Sequence, residues 1–336
     1  MSEPVFRLLA GFLPVLLFLS ALMYYDSFKL VRLRWVAITI LFGGASAALS
    51  YVIHLALSPH VQMDFTSYSR YVAPVVEEMA KSLVAAYLIR SGRTGFLVDA
   101  AIFGFAAGTG FALVENGYYL ESIPEIQPAV WLIRGFGTAV MHGGTTAIFA
   151  ITSQLLAERR SARDTSIFVP GFLLAVVLHS LFNHLVFSPV FSTIVILLAC
   201  PLLIFIVFSK SETSLKNWLE VGFDADTELL ELIRSGRVSE SKAGRFLQSL
   251  KDNFSGEVVV DLLCYLRIHL ELSLHAKGML MLREAGFDAE PDDESRALLA
   301  ELEYLEKSIG KTGRLAMTPF LRMSAKELWQ MYVLRV

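Results

Sequence analysis

The sequence predicts an all-α protein: a polytopic membrane bundle of about seven transmembrane helices in residues 1–209, then a helical cytoplasmic domain in residues 210–336. Three observations carry this. Hydrophobic residues make up 54% of the chain, and the mean hydropathy of +0.54 exceeds that of an ordinary soluble domain. The charges are segregated, with 12 Lys/Arg and 11 Asp/Glu in residues 1–209 against 17 and 21 in residues 210–336. Apolar runs near the roughly 20 residues that cross a bilayer recur along the first part only. The net charge of −3 leaves no electrostatic footprint for a nucleic-acid partner. Cys200 lies in an apolar run and Cys264 in the charged part, which suggests neither a disulfide framework nor a thiolate metal site.

The spans are expected at 5–25, 35–57, 71–89, 96–120, 130–156, 166–187 and 190–208. The first run ends in bulky residues rather than a small-residue cleavage site, so it reads as a retained span. Lys29, Arg32 and Arg34 follow the first span, Arg90 and Arg93 the third, and Arg159, Arg160 and Arg163 the fifth. The alternate connections are poor in Lys and Arg: 58–70 has only Arg70, and 121–129 has none. The positive-inside rule then places the N-terminus outside and the C-terminus in the cytoplasm, and the chain is expected to be a multi-pass membrane protein. Gly104-x-x-x-Gly108 puts two small residues on one helix face, which allows close helix approach. Beyond residue 210 the amphipathic stretches are punctuated by Gly222, Gly236, Gly256, Gly286 and Gly310. His269 and His275 lack metal-ligand spacing and read as ordinary residues. This domain is expected to bind a protein or self-associate.

Charged residues inside a membrane helix are costly, and they mark function by default. The third span holds Glu77, Glu78 and Lys81; the fourth Asp99, Glu115 and Asn116; the fifth Arg134 and His142; the sixth His179, Asn183 and His184. Glu77 and Lys81 are four residues apart and share a helix face, and so do His179 and Asn183. At 1.5 Å per residue, Glu77 lies roughly 9 Å into its span. Glu115, His179 and Asn183 fall at a similar depth in the outer half of the membrane, with His142 nearer the midplane. Asp99 and Arg134 lie near span ends and are expected to snorkel or anchor. His184 reads as an interface residue, and His54 as an ordinary residue with no role in the site.

Such a set suits water activation. A carboxylate in apolar surroundings beside a second carboxylate is poised as a general base or acid, and histidine or asparagine N–H groups can stabilise an oxyanion in a dry site. Glu77-Glu78-x-x-Lys81, Phe111-x-x-x-Glu115-Asn116, His142 and His179-x-x-x-Asn183, in that order on successive spans, resemble the PrsW family of intramembrane proteases. That family is distantly similar to the CAAX-processing membrane proteases, which carry a Glu-Glu pair, a Phe-x-x-x-His and a His-x-x-x-Asn/Asp. Here Glu115 stands in place of the second-motif histidine. The resemblance covers roughly residues 35–208 and implies a glutamic-type peptidase acting on a membrane-protein substrate, with no cofactor, in a bacterial plasma membrane; the depth of the polar set puts cleavage near the outer membrane face. It implies Glu77 as the water-activating base, Glu78 or Glu115 assisting, and His179 with Asn183 stabilising the oxyanion. His142 matches the family's further histidine, and Lys81 and Asn116 are supporting residues.

Three readings compete. Glu77, Glu115, His142 and His179 are also candidate zinc ligands, and three protein ligands plus water make the catalytic zinc pattern, although no His-Glu-x-x-His occurs. Intramembrane carboxylates and histidines also form proton and ion relays in transporters. Collection of the polar groups in one layer, with no internal repeat, argues against a transport path. A receptor docking through residues 210–336 would leave the glutamates dispensable.

Overall fold

The computed structural model describes the chain except residues 1–2, 27, 30, 124–126, 161–163, 185–187, 288, 318–328, 330–333 and 335–336. Every described element is helical: α1 Glu3–Tyr24, α2 Leu33–Leu57, α3 Ala73–Arg90, α4 Leu97–Ser122, α5 Val140–Arg159, α6 Phe168–His184, α7 Pro189–Arg234, α8 Lys242–Ser249, α9 Gly256–Glu284 and α10 Asp293–Met317. The chain divides into two compact units, Met1–Ser211 and Glu212–Val336.

In the first unit, α1, α2, α4, α6 with the turn before it, and α7 are long and apolar enough to cross a membrane. α3 and α5 are not, because α3 carries Glu77, Glu78, Lys81 and Arg90 and α5 carries His142, Gln154 and small polar residues. The end of the sixth expected span, 185–187, lies outside the described residues. α4 is the central helix, buried along most of its length. Its glycines explain why. A Cβ at Gly108 would lie 2.2 Å from the His142 carbonyl oxygen of α5, and one at Gly104 would lie 2.7 Å from that of Thr146. On the opposite side, Gly110 and Gly43 let α4 and α2 meet backbone to backbone. Packing at this range is how small residues hold membrane helices together.

Two helices begin with a wider π-helical turn. Tyr68–Val72 precedes α3, in a segment that starts at Phe65 under an Asp64 cap (Ser67 N–H to Asp64 Oδ1, 2.9 Å). Ile133–Ala139 precedes α5. Turns of this kind often accompany functional sites. Asp99 differs from its expected snorkelling role. It is buried and caps α4, accepting hydrogen bonds from the Gly95 and Phe96 N–H groups at 2.7 and 3.0 Å.

In the second unit, Gly222 does not interrupt α7, which runs 46 residues. A Cβ there would meet Lys277 Nζ at 2.6 Å, so the glycine leaves room for a buried lysine paired with Asp226 at 2.7 Å. Gly236 and Gly286 do end helices, each with positive φ, and Gly310 kinks α10. His275 bonds Ser295 Oγ, and burial pushes the His269 imidazole down to about 4, so both histidines take part in packing. Cys200 and Cys264 are free thiols.

Candidate functional site

The site is built on α3, where Glu78 and Lys81 face the bundle interior. Both are fully buried, and the Lys81 ammonium donates to Glu78 Oε1 at 2.6 Å. The pair is made at the three-residue spacing, from Glu78, and not at the four-residue spacing, from Glu77. Glu77 points elsewhere and is partly accessible. Lys81 also reaches His142 Nδ1 on α5 at 3.0 Å and lies 4.9 Å from the centre of the Phe111 ring. A buried cation held between a carboxylate and an imidazole nitrogen meets the rule that buried charges are paired.

These contacts fix the tautomers. An ammonium only donates, so His142 Nδ1 is the acceptor and its Nε2–H donates to Glu115 Oε2 at 3.0 Å. A carboxylate only accepts, so His179 Nδ1–H donates to Glu78 Oε1 at 2.8 Å. Thr145 Oγ1, one turn beyond His142, adds a third hydrogen bond to Glu78 Oε1 at 3.0 Å. All three donors fall on this oxygen; Glu78 Oε2 is buried with no partner. The His142 and His179 rings meet edge to face at 4.9 Å.

His179 Nε2 is thereby turned toward Glu77 Oε2 at 3.7 Å. With the proton on Nδ1, two lone-pair atoms face each other, an arrangement that favours a cation between them. One ligand atom each from Glu77, His142 and His179 can be chosen so that all three lie within 4.8 Å of one another. Two imidazoles and a carboxylate with a further position open form the donor set of a catalytic zinc site. His179 is already oriented by a carboxylate on its other nitrogen, as metal-ligating histidines are. The charge balance agrees: Glu77, Glu78 and Glu115 face the cations Lys81 and Arg134, one negative charge in excess with the histidines neutral. The residues fit a divalent metal. A ligating His142 would give up one of its two present partners.

Glu115 lies outside the trio. It bonds His142 and pairs with Arg134 at 3.5 Å. Arg134 comes from the π turn before α5, covers the Tyr119 ring at 3.7 Å, and donates from Nε to Asn116 Oδ1 at 2.9 Å. Asn116 in turn donates to the Gly11 carbonyl at 2.7 Å, so it supports the arginine. Arg134 was expected to anchor at a span end; the Glu115 and Asn116 acceptors draw it inward. Asn183 is not brought to the carboxylates by any hydrogen bond: its amide donates to the Ser69 carbonyl at 2.9 Å and ties α6 to the π turn before α3. Sequence reasoning missed Thr145, and it missed His54, whose Nε2 stands 3.7 Å from Glu77 Oε1. The one signal for Thr145 is its place one turn after His142.

An apolar cavity of about 600 Å³ adjoins this cluster, lined by Met141 and Thr145 of α5, Leu178 and Phe182 of α6, and Val195 and Cys200 of α7. A family model described as PrsW family intramembrane metalloprotease matches residues 31–209, which hold the whole cluster. No curated protein and no solved structure matches the chain.

Proposed function

The chain belongs to the PrsW family of intramembrane metalloproteases and is a membrane peptidase, and from that premise we propose that it hydrolyses a peptide bond of a membrane-protein substrate at the Glu77–His142–His179 cluster, with a divalent metal. The observation that carries this is the lone-pair face of His179 Nε2 opposite Glu77 Oε2, with Glu78 fixing the other side of the ring. Glu77, His142 and His179 would hold the ion, which would supply Lewis acidity toward the scissile carbonyl and water. The protein does the rest. Glu115, steadied by Arg134, is placed beside His142 to accept the proton from water and pass it to the leaving amine. Glu78 holds the His179 imidazole in place by accepting its Nδ1–H, and Glu115 accepts the Nε2–H of His142. The neighbouring apolar cavity suits substrate side chains that arrive from lipid.

On this reading the first unit forms seven spans, with the site in the outer half of the bilayer and residues 210–336 in the cytoplasm. α3 and α5 cross as the charged helices of a bundle whose apolar neighbours shield them.

A metal-free reading is favoured by a different observation. His142 has a partner on each nitrogen, and His179, standing between Glu77 and Glu78, can carry a proton on each of its own. Glu77 would then activate water alone. One experiment separates the two. New N-termini of membrane proteins are compared in cells making the wild-type chain and Glu77→Gln. The purified protein is also assayed for bound metal and for activity after exhaustive chelation and Zn²⁺ return. The metal reading expects about one ion per chain, loss of cleavage on chelation and recovery with Zn²⁺. Full activity after verified metal removal supports the glutamate reading, and unaltered cleavage by Glu77→Gln sinks both.

A further inference from the structure

His54 and Tyr68 come from different elements, α2 and the π turn before α3, and meet beside Glu77. His54 Nδ1 lies 2.9 Å from the Tyr68 hydroxyl, and its Nε2 lies 3.2 Å from Ser50 Oγ and 3.7 Å from Glu77 Oε1. If Nδ1 held the proton, a bare Nε2 lone pair would face the carboxylate. The favourable arrangement has Tyr68 O–H donating to Nδ1 and the Nε2 proton facing Ser50 Oγ and Glu77 Oε1. Glu77 therefore stands between two imidazoles. His179 addresses one oxygen, and His54 addresses the other.

The environment makes this more than proximity. At 3.7 Å neither contact is a hydrogen bond, and an imidazole nitrogen faces each of the two Glu77 oxygens. The π turn places Tyr68 where it can hold His54, and the Asn183 and Ser180 side chains of α6 bond the Ser69 and Arg70 carbonyls of the same segment. The other π turn does the same on the far side of the cluster, supplying Arg134 to Glu115. Each wider turn delivers one residue to the layer that orients a carboxylate.

We propose that His54, clamped by Tyr68 and Ser50, is the positioning residue that presents the Glu77 carboxylate to the metal. The inference rests on the metal reading of the site. The test uses the full-length protein in detergent and Zn²⁺ alone as the probe, its affinity measured by competition with a fluorescent chelator. Outer-shell partners of metal ligands typically matter by about 10–100-fold in affinity. His54→Ala should therefore weaken Zn²⁺ binding by about that factor. Tyr68→Phe should weaken it less, and the double variant should bind within about twofold of His54→Ala, because Tyr68 acts through His54. His54→Gln, whose amide N–H can take the place of Nε2–H, should retain more affinity than alanine. A purely structural role would instead lower the metal-free melting temperature and make the two losses add. If His54→Ala does not fold, Tyr68→Phe and His54→Gln decide the matter. Wild-type affinity in these variants beside a weakened Glu77→Gln overturns the positioning role and leaves the metal site standing. Wild-type affinity in Glu77→Gln overturns the metal reading itself, and the role of His54 with it.

Discussion

Glu77 and Glu78 are adjacent in sequence, yet their surroundings give them different work. Glu78 is fully buried, and Lys81, Thr145 and His179 all donate to one of its oxygens. Glu77 is partly exposed and looks at two imidazole nitrogens from a distance. Neutralising Glu78 strands the Lys81 ammonium in the bundle, and breaking a buried pair by removing one partner costs about 3–5 kcal/mol. Glu78→Gln is therefore expected to lower the melting temperature of the purified protein sharply as well as to abolish cleavage. Glu77→Gln removes a group that no buried charge depends on, so it should melt close to wild type and still lose cleavage. Thermal unfolding of the two variants side by side measures this. Equal destabilisation would mean that Glu77 is also a structural charge.

At the scale of elements, the site depends on how closely α4 lets α5 approach. The Gly108 face touches the His142 carbonyl, so a methyl group there has to push away the backbone that carries His142. Overpacking of this kind costs roughly 1–3 kcal/mol, and a displacement near 1 Å can cost about 10²-fold in rate. Gly108→Ala should thus lose more activity than its loss of stability explains. Gly117→Ala, on the same helix with nothing within 4 Å of its Cβ, should be neutral in both, read by melting temperature and cleavage rate. The Gly104-x-x-x-Gly108 face was legible in the sequence because a helix repeats its faces by arithmetic. So was the membership of the cluster, because Glu77, Glu78, Glu115, His142 and His179 are costly residues in apolar runs. What spacing on straight helices does not reveal is which neighbour a face meets. The π turns shift Tyr68 and Arg134 around their helix axes, the α3 face that meets α5 carries Glu78, and the amide of Asn183 finds the Ser69 carbonyl first.

At the scale of the whole molecule, hydropathy and chemistry pull against each other in the first unit. α1, α2, α4, α6 and α7 satisfy the length and apolarity of a membrane span. α3 and α5 fall short because they carry much of the polar cluster, so the deficit in hydropathy is itself a mark of the site. Such helices can still cross if their charges are paired, as Glu78 and Lys81 of α3 are. Whether they cross fixes the sidedness of every connection after them. If both cross, the connection holding His60 and Asp64 lies outside, the one holding Arg93 lies inside next to Arg90 at the end of α3, and the C-terminus is cytoplasmic, in line with the Lys/Arg bias. The expected result is clear in a background without Cys200 and Cys264. A single cysteine replacing Ser58 should react with a membrane-impermeant maleimide on intact cells. One replacing Ser91 should react only after permeabilisation. Labelling of both from outside would mean that α3 does not traverse the bilayer, and the carboxylates would then belong to a helix that enters and leaves by the same face.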